Sequence, residues 1–129
     1  MYEIVVRTRF AAAHCIKGHK GLCARLHGHT WQVEAGFKGK QLDRKGMLVD
    51  FNEIKNNLNM VIEELDHRNL NDIEPFRHGE EKNPTAENLA RYIYLKLKPA
   101  LTKPGYDVQI SYVRVWESPD ASAVYTEED

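Results

Sequence analysis

Cysteine is scarce in this chain, with only Cys15 and Cys23 among 129 residues. Two cysteines exclude a disulfide framework, so the fold cannot rest on cross-links. An excess of charge of one sign is also missing. Lys and Arg number 18 and Asp and Glu 19, for a formal net charge of −1. That balance argues against broad, charge-driven binding to nucleic acid or membranes, while leaving room for a local basic patch around one anionic ligand. No apolar run approaches the length needed to cross a bilayer. No secretory leader is expected, because Met1 runs straight into strand-like alternation. Internal repeats, low-complexity tracts and linkers are absent as well. These absences predict a cytoplasmic protein with one domain over residues 1–129. Its 42% hydrophobic and 29% charged residues suit a core that needs no staples.

Residues 2–14 alternate, with Tyr2, Ile4 and Val6 set against Glu3, Val5 and Arg7, and predict a strand. The Gly- and Lys-rich stretch 15–26 predicts a loop. A second strand is expected over 27–38, with His29, Trp31, Val33, Ala35 and Phe37 on one face. Thr30, Gln32, Glu34 and Lys38 lie on the other. From Asp50 the period lengthens. Ile54, Leu58, Val61, Ile62 and Leu65 form the stripe of an amphipathic helix, which Asp50 or Asn52 can cap. A polar loop follows over 66–84. A second helix is expected from Thr85, burying Leu89, Ile93 and Leu97 and ending near Pro99. A Pro104–Gly105 turn then leads into strands over 108–117 and 121–125. The order β-β-α-α-β-β predicts an α+β domain, a four-stranded antiparallel sheet with both helices on one face. The open edges of so small a sheet favour oligomerisation.

Chemistry concentrates at three histidines. His27 and His29 are two apart on the second strand, so both imidazoles project from one face. Gly28 between them lets the backbone approach a bound group closely. His14 closes the first strand, and pairing of the two strands would set it beside the others. Three protein ligands leave a fourth position for water or substrate, the arrangement of a catalytic zinc ion. The competing reading is a turn carrying surface histidines. Cys23 has two possible roles. It can close the site as a fourth, structural ligand, or act as a thiolate whose pKa is lowered by zinc, an imidazolium or Arg25. Cys15 reads as packing.

Asp66 and His67 adjoin in LDHRNLN, where a carboxylate can fix an imidazole's tautomer and raise its basicity. Taken alone, His67 also reads as a helix-terminal histidine meeting the dipole. Thr85 suits an N-cap, and Glu87 complements the start of a helix. Glu117 ends a strand with no such structural duty, and functional and solvent-facing readings balance. His19 and His78 sit in loops without a visible partner and read as solvated.

Six motifs occur in order: F-x-A-A-H from Phe10, C-x3-H-G-H from Cys23, G-M-x-x-D-F from Gly46, L-D-H-x-x-L-N from Leu65, N-P-T-x-E-N from Asn83 and V-x-E-S from Val115. Together they resemble the family of 6-pyruvoyltetrahydropterin and 6-carboxytetrahydropterin synthases, over nearly the whole chain. The resemblance implies the tunnelling fold, a homo-hexamer of two trimers, and active sites between subunits. It implies the substrate 7,8-dihydroneopterin triphosphate and Zn2+ held by His14, His27 and His29. Cys23 matches the proton-abstracting cysteine, with Asp66 and His67 as partners from a neighbouring subunit. Glu117 matches the pterin anchor, and Thr85 and Glu87 match a second pterin-contacting segment. Lys17, Lys20 and Arg25 are candidates for the triphosphate, and equally ordinary loop cations. The short gap between Cys23 and His27 resembles the carboxy-forming branch, which serves queuosine synthesis. The pyruvoyl branch, relatives that cleave other dihydropterins as aldolases do, and a non-catalytic zinc- or pterin-binding protein are the alternatives.

Overall fold

A computed structural model describes residues 1–102, 105 and 107–127. Strands β1 (Tyr2–His14) and β2 (His27–Gly39) form an unbroken antiparallel ladder from Tyr2↔Gly39 to His14↔His27. β4 (Gln109–Ser118) pairs with β2, and β5 (Ala121–Tyr125) pairs with β4. Between them in the chain come helices α1 (Phe51–Glu63) and α2 (Ala86–Leu97). The element order and helix positions follow the expectation. Pro104 of the expected turn lies outside the described residues, while Gly105 within it has φ +86°.

The sheet differs in one respect. It has five strands, in the order β3-β1-β2-β4-β5, because Arg68–Asn69 (β3) adds a short parallel pairing to Ala12–Ala13. Two residues carry no periodicity, so only the docking of the chain after α1 reveals them.

The helices cover one face. Val6, Phe10, Trp31, Val33, Ala35, Phe37, Val113 and Val115 are buried against Ile54, Leu58, Ile62, Leu89 and Ile93. Full burial of one such side chain contributes about 1.5–3 kcal/mol, so this face fixes which side of each strand turns inward. Asp50 caps α1 by accepting from the Asn52 N–H, and Thr85 caps α2 by accepting from Asn88. The loop read as polar is anchored in the core, with Leu70 and Phe76 buried and Phe76 packed on the Tyr92 ring.

The opposite face carries no helix. Arg7 donates to Glu34 at 2.7 Å, and the Tyr112 hydroxyl donates to the other Glu34 oxygen at 2.6 Å. Trp116 has the guanidinium groups of Arg7 and Arg114 at 5.6 and 5.5 Å from its ring. Gly36 lies beneath Tyr112, where a Cβ would fall 2.3 Å from a ring carbon.

Candidate active site

The last rung of the β1–β2 ladder, His14↔His27, sets two imidazoles side by side, and His29 follows on the same face. The ring centroids lie 4.6–5.1 Å apart, and the donor atoms of all three lie within 4.8 Å of one another. Trp31 floors the cluster, with its ring 4.8 Å from His14 and 5.2 Å from His29.

Second partners select the free nitrogen. His14 Nδ1 lies 2.7 Å from the Pro84 carbonyl, and His27 Nδ1 lies 2.6 Å from the Arg25 carbonyl. A carbonyl only accepts, so each Nδ1 carries the proton and each Nε2 keeps a lone pair. The Nε2 atoms of His14 and His29 are buried and have no hydrogen-bond partner. Burial holds the pKa of both rings below the ordinary histidine value. Neutral imidazoles with converging, unsatisfied lone pairs are the donor set that a divalent transition metal requires. The residues therefore fit a metal.

Glu117 stands beside the cluster from the end of β4. Its carboxylate oxygens lie 3.7 Å from His29 Nε2 and 3.8 Å from His14 Nε2. Arg9, Thr30, Gln32, Trp116 and Ser118 line a cavity of about 470 Å3 on the helix-free face, which His29 and Glu117 border at the sheet end although their side chains meet on the Trp31 side. That volume is in the range of small-molecule sites.

Cys23 is half-buried in a short turn, Leu22–Ala24, and lies outside the donor group formed by the three histidines. Its carbonyl accepts from the Ile16 N–H at 2.7 Å. The flanking residues are held by two buried asparagines. Asn71 exchanges hydrogen bonds of 2.8 and 3.0 Å with the backbone of Cys15, and Asn83 exchanges bonds of 3.0 and 2.9 Å with Lys17. Both asparagines stood in the quoted motifs, but their partners, 56 and 66 residues away, leave no local mark.

Asp66 and His67 form a pair at 2.9 Å. The Ala11 N–H donates to Asp66, and the His67 N–H donates to the Ala11 carbonyl, so both clamp to β1. The Ala11 N–H, then His67, holds the Asp66 carboxyl below its ordinary pKa. His67 adopts φ +59°, a left-handed conformation costly for a side chain of this size. Its ring is 81% exposed. Among the described residues no hydrogen bond or ion pair joins this pair to Cys23. Thr85 serves as the α2 cap, Glu87 is exposed in the first turn, and neither lines the cavity beside Glu117. His78 pairs with Glu74, and His19 accepts from the Gly21 N–H, so both have partners that the sequence does not reveal.

Comparison with known proteins gives the family. The chain is 38% identical to the dihydroneopterin monophosphate aldolase of Pyrococcus furiosus, over 89% of each chain. It is 31% identical to the 6-carboxy-5,6,7,8-tetrahydropterin synthase of Haemophilus influenzae, over 98% of this chain and 100% of the relative. The structure of Caenorhabditis elegans 6-pyruvoyl tetrahydropterin synthase superposes with a TM-score of 0.84 at 26% identity, covering 98% of this chain and 96% of that one. Residues 3–128 match the family model of 6-pyruvoyl tetrahydropterin synthase. By sequence and fold, the chain belongs to the 6-pyruvoyl tetrahydropterin synthase family.

Proposed function

We propose that the chain is a zinc-dependent lyase of 7,8-dihydroneopterin triphosphate. With water, it would yield 6-carboxy-5,6,7,8-tetrahydropterin, acetaldehyde and triphosphate, an early step toward the 7-deazaguanine base of queuosine. The observation that carries this reading is the convergence of His14, His27 and His29 with Glu117 at 3.7–3.8 Å. Several relatives named 6-carboxy-5,6,7,8-tetrahydropterin synthase, at 29–33% identity, support the branch.

Zinc on the three histidines would supply Lewis acidity to the hydroxyls of the substrate side chain. The chain's own groups do the rest. Glu117 accepts two parallel hydrogen bonds from the amino-pyrimidine edge, which orients the pterin. Cys23, as thiolate, takes a proton from the side-chain carbon, and His67 carries it onward while Asp66 fixes the imidazole. Thr85 and Glu87 form a second contact with the pterin. The exposed Asp66–His67 pair, unconnected to Cys23 within one chain, fits sites shared between the subunits of a homo-hexamer. The free edge of β5 offers a surface for such assembly.

A second reading is aldolase cleavage of dihydroneopterin monophosphate, favoured by the 38% identity to the Pyrococcus enzyme. It uses the same proton-transfer groups on a substrate with one phosphate. Mass spectrometry of products from zinc-loaded protein given each substrate separates the two. Carboxytetrahydropterin with acetaldehyde supports the first reading. A 6-hydroxymethyl dihydropterin from the monophosphate supports the second, and pyruvoyltetrahydropterin alone supports the sister synthase. Cys23→Ala should abolish turnover with zinc at full stoichiometry. Loss of the metal would instead make Cys23 a ligand.

A further inference from the structure

The N-P-T-x-E-N motif does more than open α2. Thr85 caps the helix, while the two residues before it meet the end of β1. Pro84 turns its carbonyl to His14 Nδ1 at 2.7 Å, and Asn83 grips Lys17, three residues beyond His14. We propose that Asn83 is a positioning residue for His14 as a metal ligand. It holds the Pro84 carbonyl in place, and that carbonyl keeps His14 Nε2 aimed into the histidine cluster. This assignment rests on the reading of His14, His27 and His29 as metal ligands.

Three observations carry it. First, Pro84 has no N–H and cannot be anchored by a backbone donation of its own. Its place is set by its neighbours. The Asn83 N–H donates to the Glu80 carbonyl at 3.2 Å, and the Asn83 carbonyl accepts from the Thr85 N–H and the Asn88 amide, each at 2.8 Å. Second, the buried Asn83 side chain is spent on the end of β1. It accepts from the Lys17 N–H at 3.0 Å and donates to the Lys17 carbonyl at 2.9 Å. Those bonds draw the start of α2 against the strand end that carries His14, across 66 residues of chain. Third, His14 depends on a distant partner as His27 does not. His27 meets the carbonyl of Arg25, two residues away, whereas the fully buried His14 ring meets a carbonyl 70 residues away.

A ligating histidine whose other nitrogen donates to a fixed carbonyl presents its lone pair in one direction, and loss of such a partner typically costs about 10–100-fold in metal affinity. Asn71 supplies the contrast within the molecule. It grips the backbone of Cys15 in the same manner, one residue from His14. Among the described residues, however, no carbonyl beside Asn71 meets a histidine ring. Both asparagines steady the strand end, and Asn83 alone also stands behind the carbonyl that orients a ligand. The motif thus serves the metal through its first two residues and the helix through its third.

Chelator competition for zinc tests this, with unfolding of the metal-free protein followed beside it. Asn83→Ala should lower zinc affinity about tenfold or more in a protein that still unfolds cooperatively, and Asn71→Ala should lower it less. The visible spectrum of the cobalt-loaded protein should shift in Asn83→Ala, because the direction of one ligand changes, and should hold in Asn71→Ala. Asn88→Ala withdraws the amide from the Asn83 carbonyl without touching Lys17, and it should move both readouts the same way by a smaller amount. Unchanged zinc affinity in Asn83→Ala, or an equal loss in Asn71→Ala, overturns the assignment. Where Asn83→Ala does not fold, unchanged affinity in Asn88→Ala overturns it. Failure of the wild type to bind zinc overturns the metal reading, and this role with it.

Discussion

The two faces of the sheet are built from alternate residues of the same strands, yet they solve opposite problems. On the helix-covered face, Trp31, Val33, Ala35 and Phe37 are almost completely buried and need only fit. On the helix-free face, Glu34 and Gly36 serve a charged array in which the Glu34 carboxylate is shared by Arg7 and Tyr112, and Gly36 leaves room for the Tyr112 ring. The dry face sets the register. The register then decides which polar side chains stand together on the other side, and it delivers His27 opposite His14 at the end of the ladder.

The largest test strikes the dry face where it meets the histidines. Trp31→Ala removes a fully buried ring that also donates to the Ala12 carbonyl at 3.2 Å. It should cost about 3–5 kcal/mol, measured by urea denaturation, and should weaken metal binding in a chelator competition. A loss of stability with metal affinity unchanged would separate the core from the cluster.

A smaller effect is expected where the charged face presses on the backbone. Gly36→Ala places a methyl group against the Tyr112 ring and should cost about 1–3 kcal/mol by overpacking. A neutral result would show that Tyr112 has room to move, and that its bond to Glu34 is dispensable.

The smallest concerns Glu34 and depends on pH. Burial pushes its carboxyl pKa up, but the Tyr112 hydroxyl and the Arg7 guanidinium more than reverse this and leave it below the ordinary value. A depressed folded pKa means stability that is present at neutral pH and lost as the pH falls through the carboxylate range. Glu34→Gln should therefore cost about 1 kcal/mol at pH 7 and less near pH 3. Equal costs at both pH values would show that charge has no part in the array.

Much of this was legible in the residues. The period-2 alternation of β1 and β2, the stripes of α1 and α2, and the caps Asp50 and Thr85 are local signals, and local signals survive in sequence. The histidine cluster was legible because His27 and His29 share a strand face and His14 ends the neighbouring strand. What escaped depends on contacts across long separations. The V-x-E-S motif singles out Glu117, but its place beside the histidines follows only from the pairing of β2 with β4. Asn71, Asn83 and Phe76 lie in a stretch whose composition is that of a surface loop, although all three are buried.

The two asparagines that grip Cys15 and Lys17 have a consequence for how this chain can vary. They let β1 run past its last backbone partner by borrowing side-chain amides in place of another strand. The entry to the loop is thereby pinned independently of the loop's own length, and Ile16 closes its far end onto Cys23. Gly18 is fixed by its φ of +87° and by the Glu80 carboxylate beside it, but residues between Gly18 and Leu22 can be lengthened, shortened or recoded without disturbing His14, since extending a surface loop adds little entropic cost. An engineer seeking a different side-chain specificity would therefore graft new sequence between those two anchors and leave the histidines untouched.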